Sequence, residues 1–262
     1  MPVTVHQGTS PLILAMPHVG TALPAEIFAR LNVRGQTLSD TDWQIDQLYE
    51  GLAPDASIVR ANFHRYVVDA NRGPDGESLY PGQNTTGLVP LTDFDGYDIW
   101  TSPPDDIPAR VAAFHAPYHA ALAAEIARVK ALHGVAFLWD CHSIRSQIPF
   151  LFAGTLPDLN IGTNSGFSCD LRITEALASI AARSGFSHVV NGRFKGGWTT
   201  RHYGVPHDGV HAVQMEIAQS AYLTAEAAPW MFDGEKAREL REILKEMLSE
   251  ISAFARELKV MN

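Results

Sequence analysis

VAFLWDCH (135–142) is the stretch that decides the fold: a continuous apolar run ending on His142, with Asp140 two places before it. Strands buried on both faces of a parallel sheet read as runs of this kind. PLILAMPH (11–18) ends the same way on His18, and HAVQMEI (211–217) carries Glu216 amid apolar neighbours. Open α/β sheets gather their ligands at the carboxyl ends of such strands. Two imidazoles and a carboxylate delivered to one sheet edge point to a zinc hydrolase.

Working outward, apolar runs alternate with helical patterns, which predicts an α/β fold with a mostly parallel or mixed central sheet flanked by helices. Strands are expected over 11–17, 57–62, 65–69, 135–141, 187–191 and 211–217. A helix is expected over 108–133, stopping at Gly134 and kinked or split by Pro117. Another spans 170–184, with Asp170 as N-cap and Gly185 as terminator. In 235–259, Leu240, Leu244, Met247, Ile251, Phe254 and Leu258 form one apolar stripe. That helix either covers the sheet or makes a dimer contact, so a monomer or a homodimer is expected. The Gly-rich stretches 71–106 and 144–169 are too long for ordinary connections and read as functional loops over the site.

Size and charge narrow the function. A chain of 262 residues, 46% of them hydrophobic, is long enough to form a single α/β domain over 1–262. A net charge of -9 is the wrong sign for binding a phosphate backbone, so nucleic acid is not an expected partner. No window approaches the roughly 20 apolar residues that span a bilayer, so no membrane partner is expected. The segment MPVTVHQGTS lacks the pattern of an export signal, and two cysteines form no disulfide framework. A cytoplasmic protein acting on a small molecule is the expectation.

A catalytic zinc keeps three protein ligands and leaves a position for water. His18 and His142 are the best ligand pair, and Asp42 in SDTDWQIDQLY (39–49) is the leading third, with Asp40 and Asp46 as competitors. Asp140 shares a strand face with His142, as a carboxylate behind the imidazole or as a ligand itself. Zinc is the expected cofactor, although other divalent transition metals accept the same donors. Burial would raise the pKa of Glu216 toward the range of a general base working near neutrality. Arg65 and Arg72 bracket RYVVDANR, Arg145 follows the second His, and Arg193 and Arg201 flank Gly-rich turns, a second constellation that suits an anionic substrate.

Other chemistries find little support. Cys141 neighbours His142 but points to the opposite strand face, as a packed core thiol. The chain has no G-x-S-x-G elbow and no H-E-x-x-H helix, and GRFKGG lacks the ending of a phosphate loop.

Several long motifs carry a family resemblance: RYVVDANR (65–72), SLYPGQNTTGLVP (78–90), the run from Pro117 to Ser146, LPDLNIGTNSG (156–166), VVNGRFKGGWTTRHYG (189–204) and VHAVQMEIAQSAY (210–222). Over about residues 10–225 the chain resembles the N-formylglutamate amidohydrolases. That resemblance implies hydrolysis of N-formyl-L-glutamate to L-glutamate and formate, at the end of one route of histidine breakdown. It also implies a three-layer sandwich similar to the zinc exopeptidases, with His18, Asp140 with His142, and Glu216 at the recurring positions. Asn71 and Arg72 match a pair that holds the substrate carboxylate. In the mechanism expected from these residues, Asn71 and Arg72 with Arg65 or Arg201 clamp the two substrate carboxylates, and Asn84 and Thr85 in the loop PGQNTTG close over the ligand. Carboxypeptidase-like members take a ligand from His-x-x-Glu, whereas Thr21 stands three residues after His18. The third ligand is therefore not carried over. The competing readings are a zinc amidohydrolase for another N-acyl acidic amino acid, and a non-catalytic acidic amino-acid binding protein.

Overall fold

The structure, a computed structural model, describes residues 1–261. Its apolar runs pair into a seven-stranded sheet of β1 (Val3–His6), β2 (Leu12–Met16), β3 (Ser57–Ala61), β4 (Ala136–Ile144), β5 (Leu159–Gly162), β6 (His188–Val190) and β7 (Val210–Ala218). The spatial order is β1-β3-β2-β4-β7-β5-β6. The central pairs β3/β2, β2/β4 and β4/β7 are parallel, whereas β1 joins β3 and β5 joins β7 antiparallel. The sheet is mixed, with its longest and most buried strands, β4 and β7, side by side.

Short helices α1 (Ala25–Phe28), α2 (Ile45–Tyr49) and α3 (Ile107–Arg110) precede the long α4 (Ala116–His133). After β4 come α5 (Leu171–Arg183), α6 (Trp198–Tyr203) and α7 (Gly234–Met261). The strands' two-residue period divides their side chains between two apolar layers. Leu12, Leu14, Phe137, Trp139, Cys141, Val213 and Met215 join α2, α5 and α7 on one face. Ile13, Ala15, Ala136, Leu138 and Ala212 join α4 on the other. Helices therefore cover both faces of the sheet, as the alternating pattern leads one to expect.

The apolar stripe of α7 belongs to the first layer: Leu240, Leu244, Met247 and Ile251 are buried there, with Phe254 packed at its margin. It covers the sheet rather than facing a partner; the side chain of Leu258 lies outside the described residues. Asp170 caps α5 by accepting from the Arg172 amide, and Gly185 follows the helix with a φ of 82°.

Two expectations are corrected and one, at Pro117, is met. Residues 65–69 form a turn instead of a strand, closed by the Val67 amide donating to the His64 carbonyl, and the Arg65–Asp69 ion pair spans it. The apolar VV at 67–68 fills the α4-side core without pairing into the sheet. Residues 144–169 are not a loop throughout, because β4 continues to Ile144 and the four residues of β5 pair with β7. The helical segment expected over 108–133 is divided just before Pro117, as that residue predicts: a π-helical turn over Val111–His115 separates α3 from α4, of which Pro117 is the second residue.

Candidate metal centre and active site

β2, β4 and β7 end beside one another, and the two-residue period decides what they present. Asp140 and His142 on β4 stand in register with Gln214 and Glu216 on β7, all four facing away from the layer that holds Trp139, Cys141 and Met215. His18 follows β2 directly. Its ring lies 4.9 Å from that of His142, centroid to centroid, and both side chains are buried.

Asp42 completes the group. Its Oδ2 is 3.0 Å from His142 Nδ1 and 3.8 Å from His18 Nδ1, and one ligand atom from each of the three residues lies within 4.8 Å of the others. A second carboxylate backs each imidazole: Asp69 Oδ1 is 2.7 Å from His18 Nε2, and Asp140 Oδ1 is 3.1 Å from His142 Nε2. Such outer carboxylates orient metal-binding imidazoles and raise their basicity. Two observations test whether a cation fits. His18 Nδ1 is buried without a hydrogen-bond partner, an atom that a cation between His18, Asp42 and His142 would satisfy. The donor set, two imidazole nitrogens and one carboxylate oxygen, is also the chemistry of a catalytic zinc site.

The competitors of Asp42 lie elsewhere. Asp40 accepts from the Phe94 amide at 2.9 Å, and burial raises its carboxyl to about 7. Asp46 pairs with Arg60 at the surface.

Electrostatics separate the buried acids. Burial alone would neutralise Asp69, but Arg65, His18 and Arg72 hold its carboxyl well below the usual range. Burial and then Arg65 lower the pKa of His18, outweighing Asp69. His142 goes the other way, since Asp140 and Asp42 overcome its burial. Glu216 is raised to about 8, first by burial and then by Asp42 and Asp140, against the pull of His142 and Arg65. Gln214 donates to Glu216 Oε2 at 3.0 Å, orienting the carboxyl, which makes no ion pair among the described residues.

Arg65, Asn71, Arg72 and Thr85 line the same cavity as His18, Asp42, His142 and Glu216. Asn71 Nδ2 lies 3.0 Å from His142 Nε2, and its Oδ1 accepts from the Thr199 amide. This contact explains Gly197: a Cβ there would fall 2.2 Å from Asn71 Nδ2. Arg72 donates to the Thr86 carbonyl and to the Thr85 and Thr86 hydroxyls. Arg65 shares its charge between Asp69 at 2.6 Å and Asp42 at 3.9 Å.

Three expected substrate contacts do not line the cavity. The amide of Asn84 donates to the Phe150 carbonyl, Arg145 pairs with Asp95, and Arg201 donates to the carbonyls of Gly196 and Leu79. Each is engaged in holding a loop. Conversely, Asp69, Gln214, Tyr80, Phe94 and Phe194 belong to the site without having been singled out from sequence. Asp69 carries a signal, an acid at the end of the apolar run YVV (66–68), but a strand over 65–69 would have pointed it elsewhere. Cys141 is packed in the core on the opposite face, and burial keeps its thiol protonated.

Fold and site together define a class: an α/β protein with a buried His–Asp–His group of hydrolase type at the carboxyl ends of its central strands. The chain belongs to the N-formylglutamate amidohydrolase family, whose model matches residues 10–223. It is 46% identical to the N-formylglutamate deformylase of Pseudomonas aeruginosa over 257 residues, 96% of each chain. The protein of that name from Pseudomonas putida is 43% identical over 262 residues, 97% of each. Among solved structures, the crystal structure of N-formylglutamate amidohydrolase from Ralstonia eutropha JMP134 has the same fold, with a TM-score of 0.82 at 22% identity over 98% of both chains. A gene product of Agrobacterium tumefaciens superposes with a TM-score of 0.70 at 20% identity, over 95% of this chain and 96% of its own.

Proposed function

We propose that this protein hydrolyses N-formyl-L-glutamate to L-glutamate and formate. The observation that carries the reading is the buried Glu216, without an ion pair among the described residues, in register with His142 of the His18–Asp42–His142 group. Those three residues would hold a divalent cation, zinc by preference for this donor set, and what such an ion supplies when bound is an acidified water and a polarised acyl oxygen.

The chain's own residues do the rest. Glu216 takes the proton of the attacking water on a carboxylate oxygen and returns it to the amide nitrogen as the C–N bond breaks, so that formate and a free amine leave. Gln214 holds Glu216 Oε2 in place during both transfers. Asn71 and Arg72, adjacent in sequence and with the Asn71 amide beside His142, hold the substrate carboxylate nearest the scissile bond. Phe94, Ile144, Leu151 and Phe194 form apolar walls that limit water around the reacting atoms. We infer that the reaction serves histidine breakdown in the cytoplasm, following the family resemblance.

The test is formate release by the purified, zinc-loaded protein from N-formyl-L-glutamate, N-acetyl-L-glutamate and N-formyl-L-aspartate. Turnover of the first substrate above the other two is expected. Activity on the acetyl compound alone would transfer the reading to another N-acyl amino acid, and binding without turnover would make the protein a receptor.

A further inference from the structure

Arg193 lines the cavity but takes no part in the mechanism above. It follows β6 and is held on three sides. Its Nε donates to the Leu151 carbonyl at 3.1 Å, its Nη2 donates to the Asn84 carbonyl at 2.8 Å, and its guanidinium lies over the rings of Tyr80 and Phe194 at 5.0 and 5.3 Å. Nη1 is buried and has no hydrogen-bond partner, and Arg193 makes no ion pair among the described residues. The other arginines of the cavity differ. Arg65 is neutralised by Asp69 and Asp42, and Arg72 has Asp69 at 4.0 Å as well as its threonine contacts. Burial depresses the pKa of Arg193 more than Tyr80 and Glu216 raise it, so its neighbours only partly offset its buried charge.

A fixed guanidinium with one unsatisfied nitrogen in a substrate cavity calls for an anion. Resting on the proposed function, we infer that Arg193 is the specificity-determining residue that binds the side-chain carboxylate of the acidic substrate. The division of labour follows from position. Asn71 and Arg72 adjoin the His18–Asp42–His142 group and serve the α-carboxylate, which is attached to the carbon bearing the scissile nitrogen. Arg193, on the β6 side between Tyr80 and Phe194, serves the carboxylate at the far end of the substrate. Its Nη2 contact also links recognition to the loop carrying Asn84, so a bound side-chain carboxylate and the loop share one cation.

The test compares kcat/KM for N-formyl-L-glutamate, its side-chain amide N-formyl-L-glutamine and its α-amide N-formyl-L-isoglutamine, using the wild type, Arg193→Gln and Arg193→Lys. The wild type is expected to prefer the glutamate compound over the glutamine compound by roughly 10- to 100-fold, the usual worth of a hydrogen bond to a charged group. Arg193→Gln should erase that preference while discrimination against the α-amide persists, and Arg193→Lys should retain part of it. The inference is overturned if Arg193→Gln lowers all three substrates by a common factor, as a residue that only holds loops would do, or if the preference is unchanged.

Calorimetric binding of L-glutamate and L-glutamine to the same three proteins separates this inference from the proposed activity. Should the wild type release no formate, the activity falls. Arg193 would still stand as the carboxylate receptor if Arg193→Gln abolished the preference for glutamate, and would fall if that preference survived.

Discussion

Glu216 and its neighbours show how one side chain acquires a role from its surroundings. A carboxyl raised to about 8 by burial, beside a cation-binding group, is matched to accepting a proton near neutrality. Glu216→Gln keeps the shape and the buried contacts but cannot take the proton. It is expected to lower kcat by about 10²- to 10⁴-fold with bound metal unchanged, as measured by formate release alongside elemental analysis. Loss of metal in that variant would instead make Glu216 a ligand.

At the scale of elements, α4 and the π-helical turn before it do more than cover the sheet. His115 Nε2 donates to the Arg72 carbonyl and His119 Nε2 to the Ala70 carbonyl, so the helix grips the backbone on either side of Asn71. Burial, with the nearby His115 and His202 adding, lowers His119 to about 3. Because this folded value lies below the ordinary value of about 6.5, the unfolded chain binds more protons between the two. Stability from His119 is therefore complete above about pH 6.5 and drains away as the pH falls toward 3. His119→Gln should flatten the pH dependence of the unfolding free energy from urea titrations between pH 8 and 5, by at most about 1.4 kcal/mol per pH unit, and an unaltered slope would refute this. On the opposite face, Leu244 of α7 is fully buried in the larger core layer. Leu244→Ala should cost about 2–5 kcal/mol in chemical unfolding while KM stays close to that of the wild type.

For the molecule as a whole, the candidate metal centre joins segments distant in sequence: the end of β2, the segment before α2, and β4. A cation bound there stabilises only the folded state, by an amount that grows with its concentration over its Kd. Chelation should therefore lower Tm and abolish formate release together, and added zinc should restore both. A Tm indifferent to chelator and zinc would contradict a cation shared by His18, Asp42 and His142.

Much of this was legible in the chain. The continuous apolar runs marked β2, β4 and β7, because strands buried on both faces admit few polar residues, and the exceptions at their ends, His18, His142 and Glu216, stood out for the same reason. The caps of α5 and the stripe of α7 were equally local signals. What local pattern does not carry is pairing. Strands β1, at the sheet edge, and β5, between β7 and β6, are only four residues long and are strands because their neighbours complete their hydrogen bonds. Residues 65–69 have strand-like composition yet form a turn, since the Arg65–Asp69 pair and the contact of Asp69 with His18 draw them into the site.

The sequence by itself determined the strand and helix periods, the residue types available for a metal, and the family, since all of these follow from side-chain chemistry and spacing along the chain. Only the tertiary structure chose Asp42 over Asp40 and Asp46, set Asp69 behind His18, diverted Arg145 and Arg201 to loop contacts, and left Arg193 without an ion pair among the described residues. Distance and desolvation made those choices, and both depend on which distant segments the sheet brings together.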